Sequence, residues 1–190
     1  RNKLRNNDYG DWLSIDAETP KDLLATAFWA YDAKLMSDMA GAIGRSDDQQ
    51  TYLDLFNVIK GAFQKKYIAA DGHIFGETQT GYVLGLAFDL MPDNLRERAA
   101  QLLVDDIKKR NGHLSTGFIG VKYLNPVLSD NGCLDLAYQL LFNKTFPSWG
   151  YPILNGATTI WERWDGWTKE KGFQDAGMNS FNHYSMGSVG

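Results

Sequence analysis

The segment from Ile160 to Trp167 carries the side chains best suited to chemistry in this chain. It holds three of the six tryptophans and, between them, two carboxylates, at Glu162 and Asp165. Desolvation beside an indole shifts the pKa of a carboxyl group. The indole faces also stack on the apolar faces of sugar rings. A carboxylate among aromatic rings is therefore the kind of surface on which a glycoside is hydrolysed.

The same segment also has a purely structural interpretation. Trp161, Trp164 and Trp167 are suited to anchor a core or an interface, with Glu162 capping a helix or pairing with Arg163. Both interpretations are open at the level of the local residues.

Composition restricts the ligand class. The 190 residues are 44% hydrophobic, enough for one sizeable domain. The net charge is -4 and the basic residues are scattered, so we expect no nucleic-acid partner, and a neutral substrate rather than a phosphorylated one. No apolar run approaches membrane-spanning length, and we expect no membrane partner. Cys133 is the single cysteine and there are three histidines, so the sequence indicates no metal and no cofactor.

Apolar periodicity predicts an all-α fold, with helices over residues 20–43, 46–63, 79–88, 94–109 and 132–142, and the start of a shorter one over 157–164. Trp29 is expected in the core, and the inward face of the first helix is predicted to consist of Leu24, Phe28, Tyr31, Leu35, Met39 and Ile43. The segment 79–88 is apolar on nearly all sides, whereas its neighbours are amphipathic. This alternation favours two layers of helices in a ring over a simple bundle. We predict one domain over residues 1–190.

Polar and aromatic residues concentrate in the turns between these helices. The turns are 8–13, with Asp8, Asp11 and Trp12, and 113–120, 148–152 and 179–184. In a helical ring the turns at one end converge, which would build a sugar site. Asp8 and Asp11 are alternatively caps or oxygen ligands of a metal, and His113 alternatively offsets the dipole at a helix C-terminus. The Trp149 turn is favoured as a packed corner.

The segments Thr158–Trp167 and Met178–Gly190 together resemble the bacterial α-L-rhamnosidases, and the Tyr9–Leu13 and His113–Phe118 segments match the same family in the same order. The resemblance covers essentially the whole chain. It implies an (α/α)6 barrel, incomplete in this chain, and cleavage of terminal α-L-rhamnose with inversion. Another part of the same polypeptide would then complete the barrel.

The resemblance also implies roles for individual residues. Glu162 corresponds to the general base that activates water, His183 to a ligand of a sugar hydroxyl, and Trp12 to the aromatic wall of the pocket. Four neighbours in the same motifs are further candidates for sugar binding: Asp11, Trp161, Trp164 and Asn182.

The family's general acid lies in an acidic, arginine-containing segment upstream of the Gly-Asp-Trp motif, and residues 1–8 do not match it. The isolated chain is therefore expected to be inactive. Two alternatives stay open. One is another inverting helical-barrel glycosidase, of the trehalase or glucoamylase kind. The other is a non-catalytic helical carbohydrate-binding module.

Overall fold

A computed structural model of the chain describes residues 9–175, 177 and 179–189. Asp8, a predicted cap or metal ligand, lies outside the described residues. So do Met178 and Gly190, which bound one of the motifs above.

Within the described part of the chain the secondary structure is mainly helical. The α-helices are α1 Lys21–Ala42, α2 Ser46–Tyr67, α3 Gln79–Ala87, α4 Arg96–Lys109, α5 Phe118–Asp130, α6 Leu134–Phe142 and α7 Gly150–Leu154. Short 3₁₀ turns cover Asp93–Leu95 and Ser185–Gly187. The strands β1, Trp167–Thr168, and β2, Gly172–Phe173, pair antiparallel, with Trp167 opposite Phe173. None of the helices described combines the length and apolar character needed to cross a bilayer.

The first six helices form three hairpins in two layers. Helix α1 packs on α2, α3 on α4, and α5 on α6, while α3 also contacts α1 and α5. An inner row α1–α3–α5 therefore stands against an outer layer. Eight residues of the short helix α3 are buried, which explains why residues 79–88 carry no polar face. The predicted all-α, two-layer arrangement is confirmed.

The sequence did not predict helix α5. It begins within the predicted loop 113–120 and contains Pro126, whose missing N–H interrupts the usual helical pattern. The shorter helix predicted over 157–164 is absent, and that described segment is irregular. A short helix, α7, ends just before it. The predicted buried helix 132–142 is also partly wrong, because α6 buries Ala137 and Leu140 and leaves Phe142 70% exposed.

The buried face of α1 differs from the prediction in its second half. Leu24 is buried, but Leu35, Met39 and Ile43 are exposed, and Trp29, predicted in the core, is 49% exposed. The buried positions are mostly small: Ala27, Ala30, Ala33, Ser37 and Ala40. Small side chains let α1 approach α2 closely. The face of α1 that is buried is therefore the one with small residues, not the one with the largest apolar residues.

The N-terminal ends of the three inner helices meet at one end of the domain. The hydroxyl groups of Thr19, just before α1, and Thr78, the N-cap of α3, are 2.8 Å apart. Thr80, in the first turn of α3, bonds Asp11, which in turn binds the start of α5. Two of the turns predicted to converge, 8–13 and 113–120, are therefore in contact at this end.

Candidate functional site

Asp11 connects the segment that precedes α1 to two inner helices, α3 and α5. Its carboxylate accepts hydrogen bonds from the Thr80 hydroxyl and from the backbone N–H groups of Gly117 (2.8 Å), Ile119 (2.8 Å) and Gly120 (3.2 Å). Asp11 is thus an N-cap for α5 supplied from about a hundred residues away. Burial raises the pKa of the Asp11 carboxyl, and the hydrogen bonds oppose that rise. The geometry favours the cap interpretation, and sugar binding by Asp11 stays a prediction.

Trp12 lies where the segment that precedes α1 contacts the start of α5. Its carbonyl oxygen accepts a hydrogen bond from the Phe118 N–H at 3.0 Å. A Cβ atom on Gly117 would lie 2.2 Å from that oxygen, so only glycine allows this approach. The Trp12 ring meets Tyr9 edge-on at 5.3 Å and borders a cavity of about 210 Å³ that extends to Thr19. Trp12 is half-buried, and its role as an aromatic wall stays a prediction.

Main-chain hydrogen bonds hold the Glu162 and His183 segments side by side. The Glu162 N–H donates to the Ser180 carbonyl at 2.8 Å, and the His183 N–H donates to the Ile160 carbonyl at 2.8 Å. The Thr159 hydroxyl also bonds the carbonyl of residue 181. The Ser180 N–H donates to Glu162 Oε2 at 2.9 Å, and no other donor in the described part of the chain bonds this carboxylate. Glu162 is half-buried, with its carboxylate oriented by one backbone amide.

The His183 ring is held by its neighbours. It stacks on Phe118, the first residue of α5, with ring centroids 4.9 Å apart, and on Tyr184 with centroids 5.7 Å apart. The Ser185 N–H donates to His183 Nδ1 at 3.4 Å. In the neutral imidazole this leaves the proton on Nε2, ready to donate to a ligand oxygen. Phe118 thereby joins the His183 segment to the Asp11 and Trp12 segments.

Trp161 and Trp164 are 7% and 3% exposed. Trp161 meets Phe181 edge-on at 5.1 Å, and Trp164 meets Trp149 edge-on at 5.4 Å. The Trp149 indole N–H donates to the Met186 carbonyl at 2.6 Å, so that ring is fixed as well. Burial favours packing as the role of these two candidates, because little of either indole face is left for a sugar. Their direct contact with substrate stays a prediction.

Arg163 does not hold Glu162. Its nearest anionic partner is Asp165, with Nε 3.6 Å from Oδ1, although this Nε makes no hydrogen bond within the described residues. The suggested pairing of Arg163 with Glu162 is therefore wrong. Asn182 is exposed, and its main-chain N–H donates to the Ser180 hydroxyl at 3.3 Å. Its side chain is free to reach a ligand, and that role stays a prediction.

Two structural interpretations are confirmed elsewhere. His113 lies at the end of α4, with Nδ1 2.9 Å from the Arg110 carbonyl and Nε2 2.8 Å from the Thr145 hydroxyl. It belongs to a helix C-terminus rather than to the site. Trp149 and Pro152 are both buried, so the aromatic turn is a packed corner.

Sequence reasoning missed the supporting roles of three residues. Ser180 orients Glu162 through its backbone N–H, a contact that no side-chain motif signals. Phe118 supports His183, and its place after a Ser-Thr-Gly turn was the available signal. The Asn179 amide donates to the Gly166 carbonyl at 2.8 Å and so ties the tryptophan segment to the histidine segment.

The arrangement suits a neutral, hydroxylated ligand. It holds a half-buried carboxylate and an imidazole with a proton available to donate on two paired segments, and the imidazole stacks on Phe118 in the first turn of α5. A carboxylate held in this way can accept a proton from water, and the imidazole can bond a hydroxyl. Among the described residues, no group of three or more His, Cys, Asp or Glu side chains is placed to hold a metal ion.

Comparison with known proteins identifies the family of this chain. All of residues 1–190 match the family described as the bacterial alpha-L-rhamnosidase 6 hairpin glycosidase domain. An α-L-rhamnosidase of Streptomyces avermitilis is 54% identical over 182 residues, covering 96% of this chain and 18% of that protein. One from Formosa agariphila is 42% identical over 193 residues, covering 97% of this chain and 21% of that protein.

A solved structure gives the same result. The crystal structure of the Streptomyces avermitilis enzyme complexed with L-rhamnose superposes with a TM-score of 0.93 at 53% identity, over 98% of this chain and 18% of that one. The chain thus spans about a fifth of the length of the relatives it matches. The match to the whole domain family, the close relatives and the shared helical architecture lead to one conclusion: this chain belongs to the bacterial α-L-rhamnosidase six-hairpin glycosidase family.

Proposed function

We propose that the protein containing this chain removes terminal, non-reducing α-L-rhamnose from rhamnosides with inversion at the anomeric carbon, and that Glu162 is its general base. The observation that carries the proposal is the pairing of two segments. The backbone contacts between Glu162 and Ser180 and between His183 and Ile160 bring the segment that carries the carboxylate against the segment that carries the imidazole. The naming of close relatives as α-L-rhamnosidases supports the choice of substrate.

Glu162 would accept the proton of the attacking water. An inverting glycosidase keeps its base ionised and separates it by about 6.5–9.5 Å from the carboxyl that protonates the leaving oxygen, which leaves space for water. The resemblance to the family implies that this acid lies upstream of the Gly-Asp-Trp motif. The hydrogen bond from the Ser180 N–H fixes the position of Glu162 Oε2.

His183 and Trp12 would bind the sugar. With Nδ1 accepting a hydrogen bond from Ser185, Nε2 of His183 can donate to a rhamnose hydroxyl. Rhamnose carries a methyl group in place of a hydroxymethyl group, so one edge of the ring is apolar and suits an aromatic wall such as Trp12. Asn182, exposed beside His183, is a further candidate for a hydroxyl contact.

The test is the stereochemistry and selectivity of hydrolysis by the full-length protein. Proton NMR during hydrolysis of an aryl α-L-rhamnoside should show β-L-rhamnose first, which then mutarotates. First appearance of α-L-rhamnose would contradict inversion. Hydrolysis of an aryl α-D-glucoside without rhamnoside cleavage would favour the trehalase or glucoamylase alternative, and absence of any turnover would favour a binding module.

A further inference from the structure

A second cleft, of about 590 Å³, lies between the end of α2 and the loop that follows it. The loop is a tight hairpin: Ile68 and Ile74 form an isolated antiparallel bridge, and the Phe75 N–H donates to the Tyr67 carbonyl at 2.8 Å. The Ala69 N–H donates to the carbonyl of residue 73 at 2.8 Å. Backbone hydrogen bonds, and not side-chain packing alone, therefore fix the walls of this second cleft.

The side chains of this cleft combine an aromatic surface with hydrogen-bonding groups. Phe75 is 58% exposed, and its ring centroid lies 6.4 Å from that of the buried Tyr67. His73 Nδ1 is 3.6 Å from Glu77 Oε1. Glu77 has φ of 45°, a left-handed conformation that is unfavourable for a residue other than glycine. Such strain is concentrated at functional sites.

The charges in the cleft are mostly balanced. Lys66 Nζ lies 2.6 Å from Asp22 Oδ2, and the Tyr67 hydroxyl donates to the same oxygen at 3.0 Å. Because this lysine is already paired, the cleft offers no unpaired cation to attract a phosphate or carboxylate. An exposed phenyl ring flanked by His73 and Glu77 instead suits a neutral ring that carries hydroxyl groups.

The cleft adjoins the proposed rhamnose site. Gly76 packs so closely on Pro20 that a Cβ atom there would lie 2.6 Å from Pro20 Cδ. The adjacent Thr19 is bonded to Thr78 and also lines the cavity beside Trp12. The two clefts therefore flank one short corner, Thr19–Pro20, at the end of the domain where the inner helices begin.

We propose that this second cleft binds the sugar on the leaving-group side of the scissile bond, with Phe75 as its stacking platform. The proposal rests on the proposed function, because it assigns the two clefts to the two sides of one glycosidic bond. It makes Phe75 a determinant of specificity that does not touch the rhamnose itself.

The experiment compares two substrates in the full-length protein. A rhamnosyl-glucose disaccharide places a sugar in the second cleft, whereas α-L-rhamnosyl fluoride leaves it empty. Phe75→Ala should lower kcat/KM for the disaccharide about 3- to 10-fold, the value of one aromatic stacking contact, and leave the fluoride unchanged. Phe75→Tyr, which keeps the ring, should restore the disaccharide rate. Phe142→Ala, which removes an exposed ring from α6, should affect neither substrate.

The outcomes separate this proposal from the one on which it rests. If Phe75→Ala changes both substrates equally, or neither, the second cleft does not bind the leaving group. A drop on the disaccharide alone supports it, provided that the melting temperature stays at the wild-type value. If the wild-type protein cleaves neither substrate, the proposed function itself fails, and this proposal fails with it.

Discussion

Removing the Asp11 carboxylate should loosen the start of α5 and, with it, the support of His183. The side chain is 6% exposed and accepts bonds from three backbone N–H groups, those of Gly117, Ile119 and Gly120, as well as from a threonine hydroxyl. Asp11→Ala leaves all three amides without an acceptor in a buried setting.

The expected loss follows from these contacts. A buried donor left without a partner costs about 1–3 kcal/mol. Some of that is offset, because the variant no longer buries a charge, and water can enter the space of the lost carboxylate. We therefore expect a net loss of about 2–4 kcal/mol in the free energy of unfolding of this region. Asp11→Asn should lose less, because one acceptor remains and the buried charge is gone.

Hydrogen exchange read by mass spectrometry measures this locally in the full-length protein. Amides 117–120 should exchange at least about 30-fold faster in Asp11→Ala, the factor that corresponds to about 2 kcal/mol. Asp32→Ala, which removes an exposed aspartate of α1, is the matched control and should leave these amides unchanged. Wild-type protection of amides 117–120 in Asp11→Ala would refute the assignment of Asp11 as the cap of α5.

The same residue predicts a pH dependence. Because burial raises the pKa of Asp11 above its ordinary value of 3.8, the folded state binds a proton more readily than the unfolded state. The part of the Asp11 contribution that depends on its protonation is then fully present below pH 3.8 and is lost as the pH rises through the folded pKa, whereas the capping hydrogen bonds contribute on both sides of it. The stability difference between wild type and Asp11→Ala should therefore widen on acidification. A difference that narrows on acidification would contradict this sign.

Two further variants test the contacts around α5. Gly117→Ala should lower the melting temperature, because its Cβ would lie 2.2 Å from the Trp12 carbonyl oxygen. Such a clash costs about 1–3 kcal/mol. The control Gly61→Ala has open space around it and should stabilise α2. An unchanged melting temperature in Gly117→Ala would contradict the close approach. Phe118→Leu should raise KM about 3- to 10-fold by removing the ring under His183, and Phe118→Tyr should not; equal effects would rule out stacking.

Local sequence pattern predicted the helices that carry their own signals. Helices α2, α3 and α4 begin and end close to the predicted residues, because their apolar spacing and termini are encoded within each segment. Helix α1 also ends as expected, since Gly44, with φ of 74°, follows it. Helix α5 was missed for a physical reason: its cap is Asp11, distant in sequence, and no local residue replaces it.

The sequence indicated which residues belong to the candidate site better than it indicated what each of them does. Glu162 and His183 stand out by residue type, and their segments do lie together. From sequence alone, Trp161 and Trp164 cannot be distinguished from tryptophans that stack on a sugar. In the structure each packs against another aromatic ring. The contact that orients Glu162 comes from the backbone of Ser180, and any residue but proline offers the same N–H there.

The most direct measurement of the central claim is kcat for Glu162→Gln in the full-length protein with an aryl α-L-rhamnoside. Glutamine keeps the shape of the side chain and its bond from Ser180 but cannot take a proton from water. If Glu162 is the general base, kcat should fall about 10²- to 10⁴-fold with KM and melting temperature little changed. Glu170→Gln, an exposed carboxylate in the turn between β1 and β2, should behave as wild type. A Glu162→Gln enzyme that retains the wild-type kcat would contradict the account.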